Sequence, residues 1–421
     1  MSPQPNRAIW YKGAPTRLAD QTLERTVRAG PRVLDDEMML PVALLRASAL
    51  EANARWMSAF LAHSGVEIAP HGKTTMSPEL IARQLQAGAW AITAATAHHV
   101  RLYAEWGVPR ILLANQLIGR ANIEAVVGIL AARPALDFYC LIDSVEGAVM
   151  LADAAKRLHL GHPMQVLVEL GGAGERAGVR ELPEAVAVAR AIAAQSPYLA
   201  LRGIECFEGV YSDVVKAKSL LIKMAEAARA LAAANVFTGD EVIVTAGGTA
   251  LFDEAARTLL STALGRPVRR VLRSGCYLTH DSRHYEHAFE AAVARSPELA
   301  RIGRPRAAIE VWAHIQSRPE PVRAIASLGK RDVGFDIDLP VPLWVHRPGG
   351  GARPRPANTG IAVAKLYDQH TCLDVKADAD LRVGDLIGFG ISHPCTTFDK
   401  WRALFVVDDE YRVIDVVRTF F

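Results

Sequence analysis

The chain has 421 residues, half of them hydrophobic and 22% charged, and a net charge of +3 at pH 7. That balance belongs to a folded globular protein long enough for two domains. The small charge, with no basic block interleaved with aromatics, argues against a nucleic-acid partner, and no apolar run nears the roughly 20 residues that cross a bilayer.

Residues 1–40 read as a polar, proline-containing arm expected to pack on the second domain. The residues behind Met1 lack the apolar core of a signal peptide, and the five cysteines are scattered with no CxxC. Both features point to a reduced, cytoplasmic chain. Ala47, Leu50, Ala54, Met57 and Leu61 fall at helical spacing and lead into a strand over 66–73. Its last residues open the turn Pro70-His71-Gly72-Lys73-Thr74-Thr75-Met76-Ser77-Pro78, in which Ser77 is placed to cap a helix and Pro78 to occupy its first position. Further strands are predicted at 91–95, 111–114, 138–142, 165–170, 201–206, 242–245 and 268–272. Helices are predicted at 79–87, 122–132, 145–158, 182–194, 214–234 and 251–264. Regular alternation of this kind implies parallel strands joined by crossover helices. Its length favours a closed (β/α)8 barrel over residues 41–300 rather than an open doubly wound sheet. From 301 to 421 the texture changes to short β segments at 309–311, 322–325, 341–344, 361–364, 373–375, 386–389, 404–407 and 412–417. These predict an antiparallel β domain, interrupted by a mobile Gly/Pro-rich loop at 347–356.

A barrel carries its chemistry at the C-terminal ends of its strands, and that is where Lys73 falls. Gly72-Lys73-Thr74 invites a P-loop reading, which fails because Glu67 stands where the pattern needs its first glycine. Thr245-Ala246-Gly247-Gly248-Thr249 opens a helix, and Ser274-Gly275-Cys276-Tyr277 closes the next strand. Two glycine-bearing turns side by side late in a barrel suit a phosphate. Arg176, permanently cationic, lies among small residues in the loop 171–179. His393-Pro394-Cys395 puts an imidazole and a thiol on one side of an extended segment, half of a tetrahedral zinc site, with His370 a further candidate. His98, His99, His280, His284 and His287 show no ligand spacing with a carboxylate and read as ordinary histidines.

Taken together, His71-Gly72-Lys73-Thr74 with Ser77-Pro78, Arg176-Ala177-Gly178-Val179, Gly247-Gly248-Thr249, Gly275-Cys276-Tyr277 and His393-Pro394-Cys395 resemble the fold-type III pyridoxal-phosphate enzymes. Within them the chain is similar to the D-serine dehydratase and D-threonine aldolase family. The resemblance implies an alanine-racemase-like barrel with a β domain, and it makes Lys73 the Schiff-base lysine. It sets Arg176 against the pyridine nitrogen and gives the phosphate to Gly247, Gly248, Thr249, Gly275, Cys276 and Tyr277. A divalent metal would be held by His393 and Cys395, and a thiolate favours Zn2+. The family's aldolase branch typically has aspartate at the second metal position, so Cys395 favours the dehydratase branch. Many members read Lys-Thr-His-Lys where this chain has Lys73-Thr74-Thr75-Met76. The implied activity is β-elimination from a β-hydroxy-D-amino acid of the D-serine type, giving a 2-oxo acid and ammonia. Retro-aldol cleavage to glycine and an aldehyde is the alternative, and a non-catalytic pyridoxal-phosphate-binding protein is an alternative of another class. The resemblance also implies a homodimer in which one subunit's β domain completes the other's site.

Overall fold

The computed structural model describes residues 11–15, 23–357 and 360–421; of the expected arm, residues 1–10 and 16–22 lie outside the described residues. No helix among the described residues is long and apolar enough to cross a membrane. The first strand, β1 (Val42–Arg46), has four consecutive fully buried apolar residues, the pattern of a strand covered on both faces. The helix Ala47–Ser64 then buries Leu50, Trp56, Met57 and Phe60.

Eight parallel strands follow: β2 (Glu67–Ile68), β3 (Ile92–Ala94), β4 (Arg110–Gln116), β5 (Asp137–Ile142), β6 (Met164–Leu170), β7 (Leu199–Cys206), β8 (Val242–Ala246) and β9 (Val268–Leu272). Their order is β2-β9-β8-β7-β6-β5-β4-β3. The ring closes where His71 bridges Thr93 and the Thr93 N–H donates to the Pro70 carbonyl at 2.9 Å. The strand expected over 66–73 is much shorter, because Pro70 has no N–H to give the ladder and Gly72–Thr74 coils into a 3-10 turn. Elsewhere the expected strands are found within a few residues.

Side chains alternate across each strand, and the barrel interior shows the alternation directly. Ala69, Ala91, Leu112, Tyr139, Leu141, Leu167, Ile243 and Val271 form one inward cluster, while Cys140, Ile142, Val166, Val168, Val242 and Val244 pack outward against the helices. Two residues further along, the inward series turns polar: Leu167 is followed by Glu169, Gly203 by Glu205, Ile243 by Thr245 and Val271 by Arg273. The apolar plug therefore carries a charged cap at the C-terminal mouth.

The second domain contains β10 (Ile309–Glu320), β11 (Arg323–Ala326), β12 (Val341–His346), β13 (Arg355–Pro356), β14 (Ile361–Leu366), β15 (Thr371–Val375), β16 (Leu386–Gly390), β17 (Ala403–Val407) and β18 (Val413–Arg418). Pairing is antiparallel throughout except that β1 runs parallel to β17 while pairing antiparallel with β10. The boundary expected at residue 41 is thus displaced: β1 belongs to the β domain's sheet, and the helix Ala47–Ser64 carries the chain across to the barrel. Part of the arm also packs there, with Val33 and Leu34 in one cluster with Trp312, Phe405 and Tyr411. The segment 347–356, expected to be a mobile loop, is tied down. Arg347 Nε donates to Asp385 Oδ1 at 2.9 Å, its Nη2 donates to Asp380 Oδ1 at 2.9 Å, and β13 pairs with Trp344 and Val345 of β12.

The chain's last residues fasten the β domain to the barrel beside the Lys73 turn. The Phe420 N–H donates to the Met76 carbonyl at 2.9 Å, Arg418 Nε to Glu79 Oε1 at 2.8 Å, and Arg83 Nη2 to Asp415 Oδ2 at 3.0 Å.

Candidate active site

At the C-terminal mouth of the barrel lies a cleft of about 310 Å³, walled on one side by the β domain; Lys73, Arg176, Thr249, Cys276, His393 and Cys395 are among its lining residues. The lysine is delivered by local backbone rules. Gly72 passes so close to Tyr103 that a Cβ there would lie 2.5 Å from the phenol oxygen. The Met76 N–H closes the turn on the Gly72 carbonyl at 2.9 Å. Ser77 then caps the helix Pro78–Gln86, its Oγ accepting from the Leu80 N–H at 3.4 Å, with proline at the first helical position. Lys73 is exposed to the cleft, and its Nζ has no hydrogen-bond or ion-pair partner among the described residues. Beside it, burial and then the charge of Lys73 hold the His71 imidazole well below its ordinary pKa, so the ring is neutral. His71 Nδ1 is buried without a partner, an unfilled polar position facing the cleft.

Gly275 brings the turn after β9 against the lysine turn. A Cβ at this position would lie 2.8 Å from the His71 carbonyl oxygen and 2.8 Å from Thr74 Oγ1. Gly248, Thr249, Gly275 and Cys276 all reach the cleft. Gly247 and Tyr277 are not among its lining residues. The N–H groups of Gly247 and Gly248 each donate at 2.9 Å to the carboxylate of fully buried Glu208, so they are already spent on a side chain. Burial raises the Glu208 pKa and those two N–H groups oppose the rise. Tyr277 is buried behind the turn and hydrogen-bonds Gln84. Beyond them, Thr249 and the Gly275-Cys276 turn line the cleft, with the Cys276 N–H directed at Thr249 Oγ1 at 3.4 Å.

Arg176 stands at the rim. Its loop is folded back by the Gly178 N–H donating to Asp143 Oδ2 at 2.9 Å, and its guanidinium carbon sits 4.8 Å from the Phe207 ring centroid. It has no carboxylate partner among the described residues. Arg273, the other cleft arginine, is committed: its Nη2 lies 2.6 Å from Glu205 Oε2 and its Nη1 donates to Thr245 Oγ1 at 2.8 Å. Glu205 meets Glu169, which accepts from Gln116 Nε2. Burial raises both carboxyls; Arg273 pulls Glu205 back while Glu169 pushes it further up, and hydrogen bonds from Gln116 and Glu205 oppose the rise of Glu169. Two carboxyls facing one guanidinium therefore keep one proton between them.

From the β domain, His393 and Cys395 enter the same cleft. Hydrogen bonding with Cys276, and then with His393 and Thr74, lowers the Cys395 thiol to about 4 against the effect of burial. Burial opposes charging of His393, but Cys395 and Asp336 outweigh it and raise the imidazole to about 9. His393 Nδ1 lies 2.6 Å from Asp336 Oδ2, which leaves Nε2 for the cleft side. A thiolate next to an imidazole whose other nitrogen is held by a carboxylate is the donor arrangement of a metal-binding histidine and cysteine. His370 does not line this cleft. Of the remaining histidines, His99 Nδ1 accepts from the Ala95 N–H at 3.3 Å and His280 Nε2 lies 3.0 Å from Glu286, as ordinary histidines do.

Asp336, Glu208 and the Glu169–Glu205–Arg273 group are the side chains that sequence reasoning did not assign. The two glutamates at strand ends carried a signal, since a charge two residues beyond an inward apolar position must cap the barrel. Asp336 carried none, because 57 residues separate it from His393.

Residues 45–288 match the family model described as "Alanine racemase, N-terminal domain", and residues 308–407 match one for a "serine dehydratase domain". The chain is 24% identical over 376 residues to the D-threonine aldolase of Arthrobacter sp, covering 88% of this chain and 89% of that protein. Among solved structures, the D-threonine aldolase from Filomicrobium marinum superposes with a TM-score of 0.74 at 21% identity, covering 91% of this chain and 95% of that one. A cysteine-to-alanine variant of D-threo-3-hydroxyaspartate dehydratase, solved in a metal-free form, superposes with a TM-score of 0.71 at 20% identity, covering 93% of this chain and 99% of that one.

Proposed function

The chain belongs to the alanine racemase N-terminal domain family, among the fold-type III pyridoxal-phosphate enzymes, and on that premise we propose that it is a metal-dependent lyase that dehydrates and deaminates a β-hydroxy-D-amino acid. One observation carries the reading. The lysine at the end of the first barrel strand and the His393–Cys395 pair of the β domain open into the same cleft. The similarity to a D-threonine aldolase and a D-threo-3-hydroxyaspartate dehydratase supports a β-hydroxy-D-amino acid as substrate class.

Bound pyridoxal phosphate would supply an electron sink for charge at the substrate Cα, and a divalent ion, Zn2+ on the softness of the thiolate, would supply Lewis acidity at a β-oxygen. Lys73 is the residue to hold the cofactor, with Thr249 and the Gly275-Cys276 turn taking its phosphate and Arg176 facing its ring nitrogen. His393 and Cys395 are the residues to hold the ion. The protein's own contribution is placement. Lys73 Nζ, unpaired and open to the cleft, takes the proton from Cα. Neutral His71 beside it adds no competing positive charge. Arg176, a guanidinium without a carboxylate partner among the described residues, would disfavour protonation of a ring nitrogen held next to it.

Loss of the β-hydroxyl as water, followed by hydrolysis, yields a 2-oxo acid and ammonia. Cleavage of the Cα–Cβ bond to glycine and an aldehyde is the second reading, favoured by the aldolase relatives. Incubating the cofactor- and metal-loaded protein with D-serine, D-threonine and 3-hydroxy-D-aspartate separates the two. Keto acid and ammonia in equal amounts are expected, and glycine with aldehyde and no keto acid overturns the elimination. The homodimer implied by the resemblance, and its shared site, are part of the same proposal; sedimentation of the loaded protein tests them.

A further inference from the structure

The two sulfurs nearest the lysine turn come from different domains. Cys276, only 4% exposed, sits on the turn after β9, and its Sγ is 3.7 Å from the Sγ of Cys395. Thr74 Oγ1 touches both, 3.7 Å from Cys276 and 3.6 Å from Cys395. The Cys276 N–H is aimed at Thr249 Oγ1, 3.4 Å away, and the close approach of Gly275 to His71 and Thr74 fixes where the cysteine can stand. Its position is set by packing rather than by a flexible loop.

Zinc binds thiolate sulfur at about 2.3 Å in tetrahedral geometry, which puts two thiolates on one ion roughly 3.8 Å apart. The Cys276 and Cys395 sulfurs already stand at that spacing. No three His, Cys, Asp or Glu groups are gathered as a finished cage among the described residues. His393 nevertheless lines the same cleft, with Nδ1 held by Asp336 at 2.6 Å, which would leave Nε2 to turn toward an ion beside Cys395.

We propose that Cys276 is a third protein ligand of the metal, which Cys276, Cys395 and His393 hold together with one position left open. This rests on the reading of His393 and Cys395 as metal ligands and adds to it a residue from the barrel. Three protein ligands and one vacancy are the pattern of catalytic rather than structural zinc. Cys276, Cys395 and His393 line the cleft that also holds Lys73, so an ion held by them would be within the space open to a substrate β-oxygen. Two thiolates and an imidazole select zinc, or cobalt as a probe, against magnesium and manganese. Because Cys276 lies on the barrel and the other two on the β domain, the ion also pins the domains together across the site.

X-ray absorption of the zinc-loaded, cofactor-bound protein counts sulfur neighbours without any mutation; two are expected, and one overturns the proposal. With cobalt in place of zinc, Cys276→Ser should lose about half of the thiolate-to-metal charge-transfer intensity and bind the ion roughly tenfold or more weakly, with retained cofactor absorbance reporting an intact fold. A variant that matches the unmodified protein in both respects shows that Cys276 is only a hydrogen-bond donor to Cys395 and refutes the third ligand alone. If His393→Ala and Cys395→Ser leave metal content unchanged, the metal pair itself is wrong and this inference falls with it.

Discussion

Lys73 is placed by rules that act within a few residues: a proline that ends the strand ladder, a glycine pressed on Tyr103, and a capped helix two residues past the turn. Its amine is the cleft's free nucleophile, so Lys73→Ala should abolish the visible cofactor absorbance and reduce turnover to background together. Survival of both would move the cofactor to another residue. A different residue-scale test comes from the capped barrel. Glu205 and Glu169 are buried with raised pKa values, so the folded protein keeps a proton that the unfolded chain releases above the ordinary carboxylate range, about pH 4. The stabilisation is complete below that range and is lost as pH rises through the raised folded value, at about 1.4 kcal/mol for each unit of elevation. Glu205→Gln keeps a donor toward Glu169 and removes the titration. Denaturant unfolding from pH 5 upward should therefore lose stability more gradually in the variant than in the unmodified protein. An identical slope would mean that the pair is ionised throughout.

At the scale of elements, the site depends on two turns, after β2 and after β9, that approach too closely for any side chain at Gly275. The Gly275 backbone dihedrals need no glycine; the space does. Gly275→Ala forces a Cβ against the His71 carbonyl and Thr74, and overpacking of that kind costs about 1–3 kcal/mol. If the strain falls on the turns, cofactor affinity should drop roughly ten- to hundredfold with little change in far-ultraviolet circular dichroism. Unaltered affinity would show that the turns can part without consequence. The elements themselves were legible where pattern and burial agree. Long apolar strands such as β6 and β7 and the Ala-rich crossover helices announce themselves by period. What sequence did not reveal is partnership across distance. The apolar run of β1 looks like the barrel's entrance, yet it is enclosed by β10 and β17, more than 250 residues further on. The turn N–H groups of Gly247 and Gly248 find their acceptor in Glu208, nearly 40 residues upstream, a partner that no local motif announces. Lys73, Arg176, His393 and Cys395, which line one cleft, could be singled out in the sequence because each follows a strand end or a short motif. Asp336 and Arg273 owe their place in the site to the closed three-dimensional arrangement alone.

Across the whole molecule, the cleft exists only because the β domain closes over the barrel mouth, and the contacts that close it surround the lysine turn. Phe420 holds the Met76 carbonyl, Arg418 holds Glu79, and Cys395 rests on Thr74. An ion bound by β-domain residues at this seam binds the folded, closed protein and not the unfolded chain. Saturation a hundredfold above its dissociation constant should then add about 2.7 kcal/mol to stability. The proposed attachment of the cofactor through Lys73 does not use His393 or Cys395. Dialysis against a chelator should therefore lower the melting temperature and abolish turnover while leaving the visible cofactor absorbance in place. Zinc should restore both losses, and magnesium neither, because a thiolate and an imidazole discriminate by softness. His393→Ala should show the lower melting temperature from the start and no response to the chelator. Turnover that persists in protein stripped of metal would place the activation of the leaving group on the side chains alone, with the raised imidazole of His393 as the nearest acid.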